Sequence, residues 1–313
     1  MTDYKSIFII EIIIGSLSLL GSFFNIFCFV FFKSLRCFAL EIVFYLSLSC
    51  MLTNITYLIN IIQNEEEERN NTLCKIQGFS MIWFELSQSI WATLIAYSIS
   101  KNVINYDKKV EKTQLSTRLT FIFLGYVSPL SISLFAYFSD MIGPSGNWCW
   151  IKTTDKDTKG FVYVMIVYGI MWLMFFISVC LIVKVVHFLK NLYISQDEKE
   201  LIIKYTTKLR VFPLIQMLTL IPCTVQRSLD FFGIKIWDWS EYLIIILISS
   251  QGFLYAIVYG FNPKVRNKLS QFVQKFICCR KHEEKESLIS MNTEIIDFSD
   301  TSLFKKKENG ENV

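Results

Sequence analysis

Seven stretches of this chain are long and apolar enough to cross a lipid bilayer, and they constrain the possible fold more than any other feature of the sequence. A membrane-spanning helix needs about 20 mostly apolar residues, because the hydrocarbon layer is ~30 Å thick and a helix rises ~1.5 Å per residue. The predicted spans are residues 7–32, 39–62, 77–100, 119–138, 161–187, 209–232 and 237–261. Since 53% of the 313 residues are hydrophobic, the chain also has more apolar side chains than a soluble domain of this length could bury.

The apolar runs favour helices over the strands of a membrane barrel. They are longer than barrel strands and lack the alternation of apolar and polar residues that such strands show. Backbone groups inside a bilayer must bond within the protein, and a helix achieves this on its own. We therefore predict an all-α fold, a seven-transmembrane helix bundle with a short amphipathic cytoplasmic helix after the last span.

The predicted domain organisation has four parts. Residues 1–6 are a short extracellular N-terminus, 7–261 the seven-transmembrane domain, 262–281 an amphipathic membrane-surface helix and 282–313 a disordered cytoplasmic tail. No small-residue cleavage site follows the first apolar run, so we expect the first helix to be retained. The loops after spans one, three and five carry more Lys and Arg than the loops on the other side. The positive-inside rule then predicts a multi-pass plasma-membrane protein with its N-terminus outside and its C-terminus inside.

Three sites of covalent modification are predicted. Cys74 and Cys149 lie on the predicted outer face, where disulfides form, and a bond between them would tie the top of the third span to the second outer loop. The alternative is two free cysteines. Asn70 begins an Asn-Asn-Thr glycosylation pattern on the same face. Cys278 and Cys279 end the amphipathic helix and are candidates for palmitoylation, against the alternative of unmodified surface cysteines.

Polar side chains inside the predicted spans mark a candidate ligand pocket, because ionisable groups at membrane depth are costly and tend to be functional. Glu85 falls near the middle of the third span, while Arg227 lies near the outer end of the sixth. The predicted lining of this outward-facing pocket consists of Glu85, Gln88, Arg227, Asp230, Gln251 and Tyr255. Such a pocket would suit a small polar ligand. The alternative is that these groups only satisfy one another between packed helices.

Several other classes of protein fit the sequence less well. A seven-helix zinc hydrolase needs clustered His and Asp ligands, and the only histidines, His187 and His282, both fall on the predicted cytoplasmic side. A retinal protein needs a lysine in its last span, and residues 237–261 contain none. We predict no enzymatic activity, no cofactor, no metal and no nucleic-acid partner. The competing function is a transporter or channel-like protein that uses Glu85 as a gating carboxylate.

Several motifs of the chain resemble the cyclic AMP receptors of slime moulds, which are G-protein-coupled receptors. The most specific is the six-residue run Gly146-Asn147-Trp148-Cys149-Trp150-Ile151, which is similar to their second outer loop. The weaker similarities are Gly125, Pro129-Leu130, Glu198-Lys199, Arg227, Gly252-Phe253, Tyr259 and Asn262-Pro263. Together the similarities cover about residues 74–266.

The resemblance implies a receptor that couples an extracellular small molecule to a heterotrimeric G protein. It adds Trp150 and Lys152 to the ligand-binding candidates and makes a cyclic nucleotide one candidate ligand, which would need basic donors for its phosphate. A tilt of the proline-containing sixth span would reshape a basic inner face. The predicted G-protein-coupling residues on that face are Lys101, Lys108, Lys109, Lys112, Lys204, Lys208 and Arg210. Membrane lipids, a receptor kinase and arrestin-like proteins are further implied partners.

The chain also departs from rhodopsin-like receptors. Its third span ends Ser98-Ile99-Ser100-Lys101, without an acidic-Arg-aromatic triplet, and its last span ends Phe261-Asn262-Pro263, without the usual tyrosine. These departures argue against the rhodopsin-like class and leave a relationship to the secretin and adhesion receptors open. A receptor-shaped protein that no longer signals is a third possibility.

Overall fold

The computed structural model describes residues 4–59, 71–104, 115–145, 148–152, 158–191, 211–234, 238–260, 265–272 and 274. The helices are α1 (Tyr4–Phe31), α2 (Phe38–Leu58), α3 (Asn71–Ile104), α4 (Leu115–Ile122), α5 (Ser128–Phe138), α6 (Thr158–Asn191), α7 (Val211–Phe231), α8 (Asp238–Ser249) and α9 (Gln251–Gly260). A π-helical turn, Phe123–Val127, joins α4 to α5, so these two helices form one rod. In the part of the chain that the structure describes, each of the seven predicted spans is a helix or a pair of consecutive helices.

The seven segments differ in how clearly they are suited to lipid. Four are long and apolar enough to cross a membrane by themselves: residues 6–31, 38–58, 115–138 and 159–191. The pair α8 and α9 meets the same criterion together, with a 44° bend between its halves. Helices α3 and α7 do not meet the criterion by themselves, and several of their Gln, Ser and Thr side chains bond to neighbouring helices.

The bundle places polar side chains inside and large apolar side chains outside, as expected when the solvent is lipid. In α6, for example, Leu173, Phe176 and Val183 are more than half exposed. Inside the bundle, the Asn25 amide of α1 donates to Ser47 Oγ of α2 at 3.0 Å. Such hydrogen bonds between buried side chains join helices that the hydrophobic effect alone would not hold together in lipid.

Helix α3 is the central element of the bundle. It packs against α2, α5, α6 and α7. The large buried side chain of Trp91 is typical of this position, since its ring stacks on Tyr45 of α2 with centroids 4.8 Å apart and lies 5.4 Å from Tyr126 in the π-helical turn. The third span, predicted as residues 77–100, is thus one long helix with neighbours on several sides.

The bend between α8 and α9 is stabilised by the first helix. At this break the Gly252 amide donates to Ser18 Oγ of α1 at 2.9 Å, and the same oxygen accepts from Asn54 Nδ2 of α2 at 3.0 Å. The break leaves backbone donors at the start of α9 without partners in the preceding turn, and Ser18 satisfies one of them. Insertion of a side chain into the helical hydrogen-bond ladder is a recognised cause of a sharp bend.

Glycines allow the close approach of α1 and α9 that this bond requires. A Cβ added to Gly252 would lie 2.7 Å from the Ser18 carbonyl oxygen and also against the hydroxyls of Ser18 and Ser22. A Cβ on Gly21 would lie 2.9 Å from the Gly252 carbonyl oxygen. The two helices therefore cross in backbone contact, with no space for a side chain between them.

Residues after the bundle form a separate unit that begins at Pro263. Within it, residues 265–272 are helical, and Lys268 Nζ donates to Gln271 Oε1 at 3.1 Å. The predicted lipidation sites Cys278 and Cys279 and the predicted tail lie outside the described residues. The same is true of Asn70 and of all the predicted coupling residues except Lys101, which is exposed in the last turn of α3.

Candidate functional site

The second outer loop forms a β-hairpin, which the sequence analysis treated only as a loop. Strand β1 (Ile142–Ser145) pairs antiparallel with β2 (Trp148–Ile151), and Gly143 lies opposite Trp150. All four residues of β2 are buried. A strand that is buried on both faces has no apolar-polar alternation, which removes the usual sequence signal for a strand.

The hairpin is held against α3 by a covalent bond and by a hydrogen bond. Cys74 of α3 is joined to Cys149 of β2, which confirms the predicted disulfide. One turn further along α3, Gln77 Oε1 accepts from the Cys149 amide at 3.1 Å, while its Nε2 donates to the Thr56 carbonyl of α2, also at 3.1 Å. Gly78 lets the strand approach, because a Cβ there would lie 3.3 Å from Trp150 Cα. The hairpin is therefore fixed to α3, and Gln77 connects this contact to α2.

The start of the hairpin carries an exposed cluster of charges. Asp140 lies 2.7 Å from Lys75 Nζ of α3 and 3.5 Å from Lys152 Nζ at the end of β2. The hydrogen bond from Lys75, followed by the positive charge of Lys152, holds the pKa of Asp140 below its ordinary value. A lowered pKa means that the ionised carboxylate stabilises the folded chain above the unfolded value of about 3.9, and that this stabilisation is lost as the pH falls through the lowered pKa.

We expect Asp140→Asn to lower the melting temperature slightly at neutral pH and to have less effect as the solution becomes acidic. The effect should be small because both partners are solvated and surface ion pairs contribute little. Melting curves of the purified wild type and variant across a pH series would test this. A difference in melting temperature between the two proteins that becomes larger at acidic pH would contradict a stabilising role of the ionised Asp140.

Beneath the hairpin the helices enclose a cavity with about 660 Å³ of empty space, including its open mouth. Its polar lining residues are Tyr57, Glu85, Gln88, Ser89, Tyr168, Gln216, Thr219, Gln226, Arg227 and Gln251. Two tryptophans of β2, Trp148 and Trp150, also line it. The convergence of a few polar groups between apolar walls is typical of small-molecule sites.

One side of the cavity carries a carboxylate. Glu85 of α3 accepts a hydrogen bond from the Tyr57 hydroxyl of α2 at 2.8 Å. One turn further along α3, Gln88 Nε2 donates to Thr53 Oγ1 at 2.6 Å and Gln88 Oε1 accepts from Cys50 at 3.3 Å. The bonds to α2 orient both side chains. Glu85 retains part of its surface in the cavity, whereas Gln88 is 4% exposed.

The part of the cavity next to the hairpin carries a guanidinium. Arg227 of α7 is 8% exposed and donates from Nη1 to Ser145 Oγ of β1 at 2.8 Å. Its Cζ lies 5.2 Å from the centroid of the Trp150 ring, within the range of a cation-π contact. Arg227 therefore connects α7 to both strands of the hairpin.

The inner part of the cavity is crossed by hydrogen bonds that connect three helices. Gln251 Nε2 of α9 donates to Thr219 Oγ1 of α7 at 2.7 Å. Gln216 of α7 donates to the Ser89 hydroxyl of α3. The sixth span is thus bonded on one side to the third and on the other to the seventh, at the depth of the candidate ligand site.

The structure brings together five of the eight predicted ligand residues: Glu85, Gln88, Trp150, Arg227 and Gln251 line the cavity. It places two elsewhere. Lys152 bonds to Asp140 at the outer surface, and Tyr255 is buried against Phe212 with ring centroids 5.4 Å apart. Asp230 belongs to α7, but its side chain lies outside the described part of the structure.

Other lining residues were missed by the sequence analysis, although some left a signal. Gln216, Thr219, Cys223, Gln226 and Arg227 recur at helical spacing and form one polar stripe along α7. Tyr57 and Tyr168 look like ordinary span residues and gave no such signal. Among the described residues no group of three or more His, Cys, Asp or Glu side chains is placed to hold a metal ion.

Comparisons with known proteins agree with this architecture. The family described as slime mold cyclic AMP receptor matches residues 1–285. G-protein coupled receptor 1 of Arabidopsis thaliana is 26% identical over 276 residues, which cover 84% of this chain and 80% of that protein. Cyclic AMP receptor-like protein A of Dictyostelium discoideum is 25% identical over 286 residues, which cover 90% of this chain and 72% of that protein.

Among solved structures, squid rhodopsin superposes with a TM-score of 0.74 at 15% sequence identity, over 88% of this chain and 82% of that one. This similarity shows the fold, and the match of the family over most of the chain shows the relationship. The family match favours a receptor over the transporter that the intramembrane carboxylate left open. The chain therefore belongs to the slime mould cyclic AMP receptor family and is a multi-pass membrane protein with the fold of a G-protein-coupled receptor.

Proposed function

We propose that this receptor binds a small polar molecule from outside the cell in the cavity beneath the hairpin and passes the signal to a heterotrimeric G protein. The observation that carries the proposal is Arg227, a buried guanidinium that lines the cavity and bonds to its roof. Burying a charge is expensive unless it is paired and hydrogen-bonded, and a charge kept inside a membrane bundle is commonly a functional group. The proposed ligand residues are Glu85, Gln88, Trp150, Arg227 and Gln251.

The hydrogen bonds across the inner cavity suggest how binding would be transmitted. Thr219 and Gln216 hold α7 to α9 and α3, and Pro222 interrupts the backbone bonding of α7 just above them. A ligand that exchanged bonds with Gln251 or Thr219 would favour a different position of α7. The change is a shift between two populations, and its size is limited by the difference in ligand affinity for the two.

The membrane orientation and the cytoplasmic partners belong to the same proposal. The N-terminus and the hairpin would lie outside the plasma membrane, as the distribution of Lys and Arg predicts. The basic inner face, with Lys101, Lys108, Lys109, Lys112, Lys204, Lys208 and Arg210, would contact the G protein. A receptor kinase and an arrestin-like protein would act on the Ser- and Thr-containing tail. The name of the Dictyostelium relative, cyclic AMP receptor-like protein A, makes a cyclic nucleotide one candidate ligand.

The Arg227→Ala variant tests this proposal. In cells that express the chain, G-protein dissociation would be measured against cyclic AMP, other cyclic nucleotides and a panel of small polar metabolites. For any active compound we expect the half-maximal concentration to rise at least about 30-fold, because removing one partner of a buried charged contact costs roughly 2–5 kcal/mol and each ~1.4 kcal/mol is tenfold.

The matched control is Lys152→Ala, which removes a positive charge from the hairpin at a position outside the cavity lining. It should change the half-maximal concentration less than about threefold, in line with the small contribution of a surface ion pair. If both variants, at equal surface expression, showed the same half-maximal concentration, the result would contradict the proposed site.

A further inference from the structure

We propose that the cavity recognises a compact zwitterion, a small molecule with an anionic group at one end and an ammonium group at the other. This inference rests on the proposed function, since it specifies the ligand of the same site. It is carried by the pairing of an anion subsite under the hairpin, formed by Arg227 and Trp150, with a cation subsite formed by Glu85, Tyr57 and Trp148. All five residues line the cavity.

The anion subsite offers two kinds of donor. Arg227 is fixed by Ser145 and by the Trp150 ring, so its guanidinium is already oriented before a ligand enters. The indole of Trp150 is 2% exposed, and among the described residues its Nε1 has no hydrogen-bond partner. An indole nitrogen can only donate. A buried donor beside a guanidinium is matched by an acceptor with negative charge, such as a carboxylate.

The cation subsite combines a carboxylate with aromatic rings. The Tyr57 hydroxyl donates to Glu85 Oε1 and so fixes the carboxylate from the side of α2. The ring of Tyr57 lies 5.9 Å from the ring of Trp148, with both residues in the lining. Aromatic faces next to a carboxylate attract cations, and ammonium groups are commonly bound in such surroundings.

The charge balance of the lining favours a ligand that carries both signs. Glu85 and Arg227 are the two charged residues among the described lining residues, so their formal charges cancel. A ligand with only an anionic group would satisfy Arg227 but would place a second negative charge near Glu85. A ligand with only an ammonium group would match Glu85 but would place a second positive charge near Arg227. A zwitterion brings an opposite charge to each of the two residues, so that neither protein charge faces a ligand charge of its own sign.

The closing experiment measures binding to the purified full-length receptor by thermal unfolding and compares matched probes. Each probe set contains an amino acid, its N-acetyl derivative, which keeps only the anion, and its methyl ester, which keeps only the ammonium group. The sets cover the common α-amino acids together with β- and γ-amino acids, and cyclic AMP is measured in parallel. We expect at least one zwitterion to raise the melting temperature and to bind at least about tenfold more tightly than both of its derivatives.

Variants assign the effect to the two subsites. Glu85→Gln and Tyr57→Phe should each weaken binding of the active zwitterion at least about tenfold. Each should also reduce the ratio between the affinity for the zwitterion and the affinity for its N-acetyl derivative. Tyr57→Phe keeps the ring, so it remains informative if Glu85→Gln unfolds. Glu41→Gln is the matched control, since Glu41 pairs with Arg118 at 3.3 Å and is not part of this cavity. It should leave binding unchanged.

The possible results separate this inference from the proposed function. Tighter binding of an N-acetyl derivative or of cyclic AMP than of any zwitterion would overturn the inference and leave the receptor proposal intact. Silence of every zwitterion at about 10 mM, well above the ~1 mM dissociation constants of weak ligands, would also overturn it. Binding of a zwitterion with the expected variant effects, but without G-protein dissociation, would support the inference and count against the proposed function.

Discussion

Replacing Gly252 with alanine should destabilise the receptor and reduce the amount that reaches the cell surface. The added Cβ would lie 2.7 Å from the backbone carbonyl of Ser18 and even closer to two serine hydroxyls, so α1 and α9 could not keep their present contact. Insertion of a methyl group into a tightly packed core typically costs about 1–3 kcal/mol. The same change would also displace the Gly252 amide from Ser18 Oγ, which holds the bend of the last span.

The test compares Gly252→Ala with Gly169→Ala. Both replace a glycine inside a helix, and alanine has the better helix propensity by about 1 kcal/mol. A Cβ on Gly169 would meet no atom within 4 Å. We therefore expect Gly169→Ala to retain surface expression and its melting temperature, while Gly252→Ala loses several degrees or fails to accumulate. Equal behaviour of the two variants would show that the crossing of α1 and α9 tolerates a side chain.

Breaking the disulfide should lower the stability of the receptor about as much as Gly252→Ala does. It should also weaken signalling, because the bond holds part of the cavity wall. Cys74 and Cys149 are separated by 75 residues, and loss of a native disulfide typically costs about 2–5 kcal/mol. The bond also anchors β2, whose Trp148 and Trp150 form part of the cavity wall. We expect Cys149→Ser to lower the melting temperature and to weaken any ligand response along with it.

Three comparisons make this result specific. Cys180→Ser, at an exposed free cysteine, should leave the melting temperature unchanged. The double variant Cys74→Ser with Cys149→Ser should behave like either single variant, because the two residues act as one unit. Reductant should lower the melting temperature of the wild type but not that of the double variant. A wild type insensitive to reductant, with the bond shown by mass to be broken, would contradict the prediction.

The sequence predicted those parts of the fold that depend on local composition. Runs of apolar residues located all seven segments, because a lipid environment imposes a minimum length on each. The hairpin was missed, since its strands are four residues long and β2 is buried throughout. The bend at Ser250 was missed for a different reason: its cause is Ser18, 234 residues away from Gly252 in the chain. No local pattern could have revealed that contact.

Some residues of the candidate site could likewise be predicted from the sequence, and others could not. Glu85 and Arg227 were found because charges inside apolar spans are rare and therefore stand out. Tyr57 and Tyr168 complete the lining, but tyrosines are common in membrane spans and so these two do not stand out in the sequence. Lys152 was included on the basis of charge alone, yet it pairs with Asp140, whose position depends on the turn between α5 and β1. Predicting such pairs requires the three-dimensional path of the loop.

The bond between Ser18 and Gly252 has a consequence for how the protein is made. The ribosome synthesises α1 first and α9 last. The Ser18 hydroxyl is therefore in the membrane before its partner, the Gly252 amide, has been synthesised. Until α9 packs against α1, the Gly252 amide has no access to this hydroxyl, and an unsatisfied backbone donor in hydrocarbon costs several kcal/mol. Closure of the bundle between its first and last helices is thus a late event in biogenesis, and the last span acquires its bend only when the ring of helices is complete.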